Sequence, residues 1–522
     1  MELYRKGDIE SAAKVIMEVN PMPALTSRVC AHFCMEGCNR NAYDESVNIG
    51  AVERNIGDYI FENYQKFMVA PTVLNGKKIS IVGSGPSGLT AAYYLRQSGY
   101  DVTIYEKKKE AGGCLMYAIP AYRLPKDLVR KFISILVEIG IVIKCDVEVG
   151  KDISIDEIYK KSDSVMVDTG TWQRPLIGLK GEELTRFGLD FLVDINEYIG
   201  KDFGDKVVVV GGGNVAMDVA ITAKRLGVKD VKMLCLEDRE HMPANLEEIE
   251  RALEENIEIL NMWGPKEVLK TGEKVSGISF KKCLQTLDIN GKFSPKYDEE
   301  DILTLDADII IMAIGQRADL SFLEGAYKLE SFRGRIVATN NNATTVEGIF
   351  ASGDVTTGPA TVIKAIAEGK KTAIGINEYC GGGKLIVETV EMNRKKSDML
   401  TFDSNCYCNN IQNKQVLIDT NQRGLEIEDL QPLSNNEVQS EINRCFNCGC
   451  LAVNPSDTAN MLLALDAKFV TNYRTLTAVE LLTKKTKINE VLKKGEIITE
   501  IVVPNTSDNT IAEYNKYRTR KS

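Results

Sequence analysis

The pattern of apolar and polar positions predicts a set of short helices followed by two parallel-sheet domains. Residues 9–19 have the spacing of an amphipathic helix, which Pro21 and Pro23 interrupt. From residue 77 the pattern changes to an apolar strand, a glycine-rich turn, a helix and a second strand, KKISIVGSGPSGLTAAYYLRQSGYDVTIYE. A second unit of this kind, KVVVVGGGNVAMDVAITAKRLGVKDVKMLCLE, begins at residue 206. Two strand–helix–strand units about 125 residues apart predict two nucleotide-binding domains.

The predicted fold class is α/β, with two Rossmann-like three-layer domains, an N-terminal helical domain and a small C-terminal α/β segment. Residues 386–440 are polar and rich in asparagine, which predicts a linker. The predicted boundaries are 1–70 for the helical domain, 75–200 with 320–385 for the first nucleotide-binding domain, 201–319 for the second, and 441–522 for the C-terminal segment.

Composition and charge exclude several classes of function. Sixty-four basic and 74 acidic side chains give a net charge of -10, which argues against nucleic acid as a partner. No apolar run approaches the roughly 20 residues of a membrane span, and the first residues lack an apolar signal core, so a cytoplasmic protein without a membrane partner is expected. Two histidines argue against a multi-histidine metal site and a histidine-relay hydrolase.

The first glycine-rich turn has the spacing G-x-G-x-x-G at Gly83, Gly85 and Gly88. In this pattern the glycines permit a tight turn, a close approach of the backbone to a pyrophosphate, and close helix–strand packing, while the helix that contains Ser87 directs its N-terminus at the phosphates. Glu106 follows the second strand, where a carboxylate can accept a hydrogen bond from a ribose hydroxyl. A dinucleotide site is therefore predicted, with a plain tight turn as the alternative.

A downstream segment indicates that the first dinucleotide is FAD. The sequence GIFASGDVTTGPATVIKAIAEG places Gly353 and Asp354 after a strand, where Asp354 can reach the ribityl or phosphate region. A helix that begins near Thr361 and Val362 would direct its positive end at the flavin and stabilise a reduced, anionic ring.

The second turn, G-x-G-x-x-A, contains Gly211, Gly213 and Ala216, and Asn214 and Val215 begin its helix. Glu237 follows the next strand, where a carboxylate accepts hydrogen bonds from the adenosine ribose and repels a 2′-phosphate.

This acidic residue favours NAD(H) over NADP(H), although nearby Arg239 weakens the preference, and a solvated strand end is the alternative interpretation of Glu237. A nicotinamide nucleotide in the second domain could pass a hydride from its C4 atom to flavin N5 in the first. The cofactors supply this chemistry, so no side-chain acid or base is required.

Thirteen cysteines in a reducing compartment favour metal or redox chemistry where they cluster. One group is Cys30, Cys34 and Cys38, with C-x3-C-x3-C spacing, and the other is Cys445, Cys448 and Cys450. Closely spaced thiolates can ligate iron. A degenerate group without metal is the alternative.

The ordered motifs CAHFCMEGCNR, GSGPSG, GGCLMYAIPAYRLPK, GGGNVAMD, EHMPA, AIGQRAD and GIFASGD resemble the small-subunit family of glutamate synthase and its relatives in dihydropyrimidine dehydrogenase and ferredoxin–NADP transhydrogenases. The resemblance covers roughly residues 20–385. It implies FAD in the first domain, a nicotinamide nucleotide in the second, and one or two [4Fe–4S] clusters in the helical domain.

The resemblance also implies roles for individual residues. Gly113, Leu115 and Arg123 would line the flavin, and Gly315 would lie under the nucleotide. Cys30 and Cys34 would bind one cluster with Glu53 as a carboxylate ligand, and Cys38 would belong to a second. The remaining ligands could come from Cys445, Cys448 and Cys450, from Cys406 and Cys408, or from a partner subunit.

The chain departs from this family at three places. NADPH-dependent members carry paired arginines where Leu236 and Glu237 stand, which reinforces the NAD(H) prediction. The family's first cysteine group is missing, since no cysteine precedes Cys30. The tail instead resembles the second half of the FAD-binding domain in medium subunits of molybdenum hydroxylases such as xanthine dehydrogenase, in which Pro455–Asp457 would lie against a flavin. Because the first half of that domain is missing, a partner completes it or the segment is a docking module.

The predicted function is therefore an FAD, iron–sulfur and NAD(H)-dependent electron-transfer subunit of a hetero-oligomer. Its partner would be a redox subunit, either a molybdenum hydroxylase or a ferredoxin-like protein. The alternatives are an NADPH-dependent glutamate synthase small subunit, a flavin-based electron-bifurcating transhydrogenase subunit and a nucleotide-binding scaffold. A disulfide reductase would need a second cysteine beside Cys114.

Overall fold

The computed structural model describes residues 1–42, 44–201, 203–323, 327, 329–383, 385, 410–445, 462, 465–482, 492–493 and 496–504. The chain divides into two compact units. The first contains residues 1–36 and 40–447, and the second contains residues 37–39 and 448–522.

Short helices form the N-terminal part of the first unit, as the sequence pattern predicts. The helix Ile9–Met17 begins where the Asp8 side chain accepts a hydrogen bond from the Ser11 N–H, and it ends before the two prolines. Pro23 occupies the first turn of the next helix, where its missing N–H costs nothing. The helices are Glu2–Arg5, Ile9–Met17, Pro23–Val29, Phe33–Glu36 and Ile49–Glu62.

A five-stranded parallel sheet forms the centre of the first nucleotide-binding domain. Its central strand is buried along nearly its whole length, which explains the continuous apolar run in the sequence. The helix after the first glycine turn spans Pro86–Gln97. In spatial order the strands are Ile349–Ala351, Ser164–Val167, Lys78–Val82, Asp101–Tyr105 and Val142–Lys144, and the helices around them include Lys126–Glu138, Ile155–Lys160 and Val362–Tyr379.

The second nucleotide-binding domain contains another five-stranded parallel sheet. One of its edge strands, Arg186–Phe187, precedes residue 201, so the second sheet begins earlier in the chain than the predicted domain boundary. The strands in spatial order are Arg186–Phe187, Ile309–Met312, Lys206–Val210, Asp230–Cys235 and Glu258–Asn261, and the helices are Gly188–Val193, Asn214–Arg225 and Leu246–Glu254.

A three-stranded antiparallel sheet covers one face of this second parallel sheet. Val208, Val210 and Ile310 of the parallel sheet share an apolar core with Ile278 and Phe280 of the antiparallel sheet. The strands in spatial order are Phe293–Asp306, Lys274–Leu287 and Trp263–Thr271.

The described part of the predicted linker, residues 410–440, packs on the first unit. The helix Asn435–Arg444 buries Val438 and Ile442 in the same apolar core as the N-terminal helices. Glu441 is also buried, and its carboxylate accepts hydrogen bonds from the backbone N–H groups of Asn48 and Asn413. Because these contacts fix the segment at several points, residues 410–440 form part of the folded unit, and residues 386–409 lie outside the described residues.

The described part of the second unit contains a three-stranded antiparallel sheet and a short helix. Phe469, Leu476 and Leu481 form its apolar core. The strands in spatial order are Thr475–Thr477, Lys468–Thr471 and Ile498–Val502, and the helix is Ala478–Leu482. Residues 455–457, for which the tail resemblance predicts a flavin contact, lie outside the described residues. Among the helices that the structure describes, none has the length and apolar character that a membrane crossing requires.

Gly369 sets the distance between the helices Val362–Tyr379 and Pro86–Gln97, and its replacement should destabilise the fold. A Cβ atom at this position would overlap the backbone oxygen of Ser87. We expect Gly369→Ala to lower the free energy of unfolding by about 1–3 kcal/mol, because the overlap exceeds the gain in helix propensity. Thermal unfolding and retention of FAD after gel filtration measure the effect.

The matched control for this substitution is Gly383→Ala, because a Cβ atom there would meet no atom within 4 Å. Equal stability of the two variants would contradict the packing argument.

Candidate functional site: a cavity shared by two glycine turns

One cavity of about 840 Å³ opens onto both glycine-rich turns. Gly83 and Gly85 line it from the first domain, and Gly213 and Asn214 line it from the second. Because the two turns face the same space, ligands bound at their helix N-termini can meet inside the cavity. Direct transfer between two cofactors requires a shared space of this kind.

The first glycine turn lies close to the end of the neighbouring strand. Gly83 has a φ of 104°, and a Cβ atom there would overlap the backbone oxygen of Asp168. The Gly88 N–H donates to Oδ2 of Asp168 at 2.6 Å, while Ser87 forms a hydroxyl–hydroxyl bond with Ser352 at 2.8 Å. Hydrogen bonds to Asp168 and Ser352 therefore hold the turn in place, while its residues Gly83 and Gly85 line the cavity.

Asp168 is a buried residue of the site that the sequence analysis did not identify. It follows the strand Ser164–Val167, directly beside the central strand, and lines the cavity. A Cβ atom on Gly353 would overlap the Asp168 carboxylate, so this position also requires glycine. Burial raises the pKa of Asp168 well above its ordinary value. The available signal was its place at the carboxyl end of a parallel strand, where α/β proteins bind ligands.

Glu106 lies where the sequence predicts it, in the wall of the cavity. Its Oε2 atom accepts hydrogen bonds from the backbone N–H of Ser84 at 3.1 Å and the Ser84 hydroxyl at 2.5 Å, and its Oε1 atom accepts from the Lys108 N–H at 2.8 Å. Each carboxylate oxygen has two lone pairs, so Glu106 can still accept a bond from a ribose hydroxyl.

Gly113 also lines the cavity, and it packs against the first turn. Its φ is 53°, and a Cβ atom there would lie 2.8 Å from the Cα atom of Gly85. A side chain at Gly113 would therefore displace the glycine turn that faces the cavity.

Another part of the cavity wall is formed by the downstream residues of the first domain. Gly353, Asp354, Thr361 and Val362 line the cavity there. The Thr361 side chain accepts a hydrogen bond from the Lys364 N–H and begins the helix Val362–Tyr379, whose positive end therefore faces the cavity. Burial raises the pKa of Asp354 to about 6.

The second glycine turn repeats the close approach of the first. Gly211 has a φ of 146°, and a Cβ atom there would overlap the backbone oxygen of Ala313. Gly213 precedes the helix Asn214–Arg225 and has open space where a side chain would be. Val215 and Gly315 complete this side of the cavity. The open helix N-terminus can bind a pyrophosphate through its free N–H groups.

Glu237 lies outside the cavity lining but beside the second turn. A Cβ atom built on Gly212 would lie 3.1 Å from Oε2 of Glu237, so the carboxylate is close to the backbone of the turn. The strand before it ends at Cys235, and Arg239 is exposed. This is where a ribose of a dinucleotide lies in such folds.

Some predicted site residues do not line the cavity. Leu115 is fully buried, and its carbonyl accepts a hydrogen bond from Lys126 at 2.8 Å. The residues of the predicted set that do not line the cavity are Gly88, Leu115, Gly211, Ala216 and Glu237.

Arg123 lines the cavity, but its guanidinium connects the two domains. It forms ion pairs with Asp218 at 2.8 Å and Glu248 at 2.9 Å, both in the second nucleotide-binding domain. All three side chains are at most 8% exposed. Removing one partner of such a buried group leaves an uncompensated charge, so Arg123 couples the position of one domain to the other.

One predicted cluster ligand, Cys30, lies next to the cavity. Cys30 ends the helix Pro23–Val29, and its neighbours Val29 and Ala31 line the cavity wall. The nearby Glu53 carboxylate contributes to the raised pKa of the Cys30 and Cys34 thiols, although burial contributes more. The fold therefore places Cys30, Cys34 and Glu53 close enough to interact electrostatically.

The described residues do not complete a ligand set for a [4Fe–4S] cluster, which takes four ligands. Within the described ranges, no group of three histidine, cysteine or acidic side chains is placed to hold a metal ion. Glu53 accepts hydrogen bonds from Asn20 and Thr26, both at 3.1 Å. Cys38 belongs to the second unit. The backbone carbonyl of Cys445 accepts a hydrogen bond from the Arg5 side chain at 2.6 Å. Four other cysteines, Cys406, Cys408, Cys448 and Cys450, lie outside the described residues.

Two family models match the chain. Residues 77–369 match the pyridine nucleotide-disulphide oxidoreductase family, and residues 1–65 match dihydropyrimidine dehydrogenase domain II, 4Fe-4S cluster. The first match covers more than half of the chain and both glycine turns.

Named relatives extend these matches. The chain is 33% identical to the NADP(+)-dependent formate dehydrogenase subunit beta of Moorella thermoacetica, over 73% of this chain and 58% of that protein. It is 31% identical to the glutamate synthase [NADPH] small chain of Azospirillum brasilense, over 73% of this chain and 83% of that protein. It is 33% identical to the NAD-dependent dihydropyrimidine dehydrogenase subunit PreT of Escherichia coli O157:H7, over 72% of this chain and 86% of that protein. The chain thus spans less than two thirds of the formate dehydrogenase subunit.

The fold and the shared cavity define a two-dinucleotide flavoprotein oxidoreductase. The chain belongs to the FAD- and NAD(P)-dependent oxidoreductase family of the glutamate synthase small chain. The family matches indicate FAD, a nicotinamide nucleotide and a [4Fe–4S] cluster as cofactors. The described residues bring no second cysteine into the cavity beside Cys114, whose pKa is raised to about 12 by burial, so they lack the dithiol that a disulfide reductase needs.

The raised pKa of Asp354 predicts a pH-dependent stability of the FAD-free protein. The protonated carboxyl suits the buried site, so its stabilising contribution is complete below the ordinary aspartate pKa and is lost as pH rises through about 6. Asp354→Asn should therefore unfold at a higher temperature than the parent at pH 7.5, and this difference should shrink towards pH 4. Thermal unfolding across this range measures it.

The exposed Asp301→Asn serves as the control for Asp354→Asn. A difference between Asp354→Asn and the parent that stays constant with pH would contradict the assignment.

Proposed function

We propose that this protein is an NADH-dependent FAD and iron–sulfur electron-transfer subunit that exchanges electrons between a nicotinamide nucleotide and a partner redox subunit. The observation that carries the proposal is the single cavity that opens onto both glycine turns. When bound, FAD and the nicotinamide nucleotide supply the hydride-transfer chemistry. The protein supplies approach, orientation and electrostatics.

The residues of the cavity have separate tasks in this proposal. The backbone around Gly85 and Gly213 binds the two pyrophosphates at the two helix N-termini, and Glu106 accepts a ribose hydroxyl of FAD. The N-terminus of Val362–Tyr379 stabilises negative charge in the cavity. Arg123, with its ion pairs across the domain boundary, keeps the second domain oriented towards the first.

The position of Cys30 supports a path for electrons out of the cavity. Its two neighbours form part of the cavity wall, so a cluster held at Cys30 and Cys34 would lie beside the space in which the flavin binds. Cys30, Cys34 and Glu53 are the proposed ligands from the described residues. Cys38 is proposed to belong to a second cluster, and the remaining ligands are proposed to come from the cysteines after residue 405 or from a partner subunit.

Iron analysis of cysteine variants tests this proposed cluster. The anaerobically purified protein should contain iron and acid-labile sulfide, and Cys30→Ser should lose most of both while it keeps FAD, because Cys30 itself does not line the cavity and the first glycine turn is unchanged. The half-buried Cys145→Ser is the matched control and should keep its iron. A parent protein without iron would contradict the cluster.

The preference for NADH rests on the acidic residue beside the second turn. The Glu237 carboxylate can accept ribose hydrogen bonds and repels a 2′-phosphate, and Leu236 offers no positive charge in exchange. The named relatives include proteins dependent on each of the two nucleotides, so the proposal rests on these residues.

Stopped-flow reduction of the flavin tests the nucleotide preference. NADH should bleach the parent flavin at lower concentrations than NADPH. Glu237→Gln should raise the half-saturating NADH concentration roughly tenfold, because glutamine keeps a neutral acceptor and loses only the lower end of the about 1.5–3 kcal/mol that a hydrogen bond to a charged group contributes. The exposed Glu240→Gln is the control. A parent protein that prefers NADPH would overturn the assignment.

We propose a molybdenum-hydroxylase-type enzyme as the partner, which would make the protein part of a hetero-oligomer. The support is the resemblance of the tail to the second half of a medium-subunit FAD domain. The described residues of that tail form a small sheet with its own apolar core, which suits a docking module. Purification of the native complex followed by molybdenum analysis tests this, and a complex without molybdenum would exclude this partner.

A further inference from the structure

Residues 416–431 connect three parts of the first unit, and we name them the bridging segment. Its two ends lie side by side, because the Gln431 N–H donates to the Val416 carbonyl at 2.9 Å and the Ile418 N–H donates to the Asp429 carbonyl at 2.9 Å. Between these points the chain extends to the second nucleotide-binding domain and returns. The function described above makes no use of this segment.

One side of the bridging segment binds the N-terminal helices. The Glu428 carboxylate forms ion pairs with Arg28 and Arg54, both at 2.9 Å, and Arg54 also donates to the Leu430 carbonyl at 2.8 Å. The two arginine side chains are only 7% and 4% exposed. Arg28 belongs to the helix that ends at Cys30, so Glu428 is tied to the element that carries a proposed cluster ligand.

The next residue binds the second nucleotide-binding domain. Asp429 is fully buried and accepts two hydrogen bonds from Arg225, at 2.7 and 3.0 Å. Arg225 also pairs with Glu255 and lies 4.0 Å from the centre of the Tyr122 ring. The Asp429 N–H donates to the Tyr122 carbonyl at 2.9 Å, which adds the first domain to the same network.

Arg423 strengthens the contact with the second domain. Its guanidinium forms an ion pair with Glu254 at 2.7 Å, and its Nε atom donates to the Ile418 carbonyl at 3.0 Å. The bridging segment therefore holds the second domain through two arginines, one from each side of the interface.

Arg225 ends the helix whose first residues line the cavity. The helix Asn214–Arg225 has 12 residues, which corresponds to a length of about 18 Å. A helix of this length moves as a rigid rod, so fixing its last residue restricts the position of its first turn, where the nicotinamide nucleotide binds. Domains joined by a polar interface move by default, and a fixed orientation therefore needs contacts of this kind.

We propose that the bridging segment is a clamp that holds the second nucleotide-binding domain in the orientation for hydride transfer, with Asp429 and Arg225 as positioning residues. The proposal rests on the proposed function, since it takes hydride transfer as the process that is positioned. Loss of the Asp429 charge leaves Arg225 with Glu255 as its only acidic partner among the described residues and weakens the attachment of the segment to the domain, which then rests on Arg423 with Glu254 and on the Gly424 carbonyl.

The holoenzyme variant Asp429→Asn tests the clamp. At saturating NADH the rate of flavin reduction should fall at least tenfold, while FAD content and the rate of direct reduction by dithionite stay unchanged, because dithionite needs no second domain. The control is Asp419→Asn, an exposed residue of the same segment, which should reduce at the parent rate. A rate within twofold of the parent for Asp429→Asn would overturn the proposal.

If Asp429→Asn does not retain FAD, the variant Arg225→Lys tests the clamp in its place. Lysine keeps the charge but loses the two-pronged contact with the carboxylate, so at least a threefold slower reduction by NADH is expected, again with unchanged reduction by dithionite. An unchanged rate in this variant would overturn the proposal.

Hydrogen–deuterium exchange separates failure of the clamp from failure of the proposed function. Asp429→Asn should exchange faster than the parent in residues 416–431 and around Arg225, whichever nucleotide the protein uses. If neither NADH nor NADPH reduces the parent flavin, the proposed function fails and exchange alone judges the clamp. Equal exchange in the parent and the variant would overturn it.

Discussion

The site depends on two places where the backbone of a glycine turn touches the end of a neighbouring parallel strand. Gly83 lies against the backbone of Asp168, and Gly211 lies against the backbone of Ala313. Both glycines have positive φ angles, so a side chain at either position would be strained as well as overlapping. These contacts leave the following helix N-termini open towards the cavity, and every later step of the chemistry depends on those two openings.

Buried ion pairs hold the domains around this cavity. Arg123 and Arg225 each connect the second nucleotide-binding domain to another part of the chain, and both are nearly inaccessible to water. Such pairs contribute less to overall stability than their number suggests, because each charge must lose its hydration. Breaking one of them leaves an uncompensated buried charge, which disfavours other arrangements of the two domains.

The sequence predicts the parts of the fold that repeat a known local pattern. The strands, the glycine turns and the helices that follow them can be read from residues 77–110 and 206–237, because apolar runs and glycine spacing have direct backbone meanings. Asp168 could not be found in this way, since a single aspartate after a strand has no distinctive spacing.

The packing of residues 410–440 is difficult to predict from the sequence for a different reason. Their composition is polar, and several of the residues that fix them are charged groups with partners far away in the chain, such as Asp429 with Arg225. Periodicity cannot detect contacts between residues some 200 positions apart. The cysteines present the same difficulty, because a ligand set assembled from distant segments leaves only fragments of a motif in each.

The contribution of Val29 and Ala31 to the cavity wall has a consequence for side reactions. A reduced flavin loses electrons to dioxygen when the gas reaches its ring. The residues on either side of Cys30 cover part of the cavity wall that would otherwise face solvent. The helical domain would thus reduce this side reaction by covering part of the cavity in which the flavin is proposed to bind.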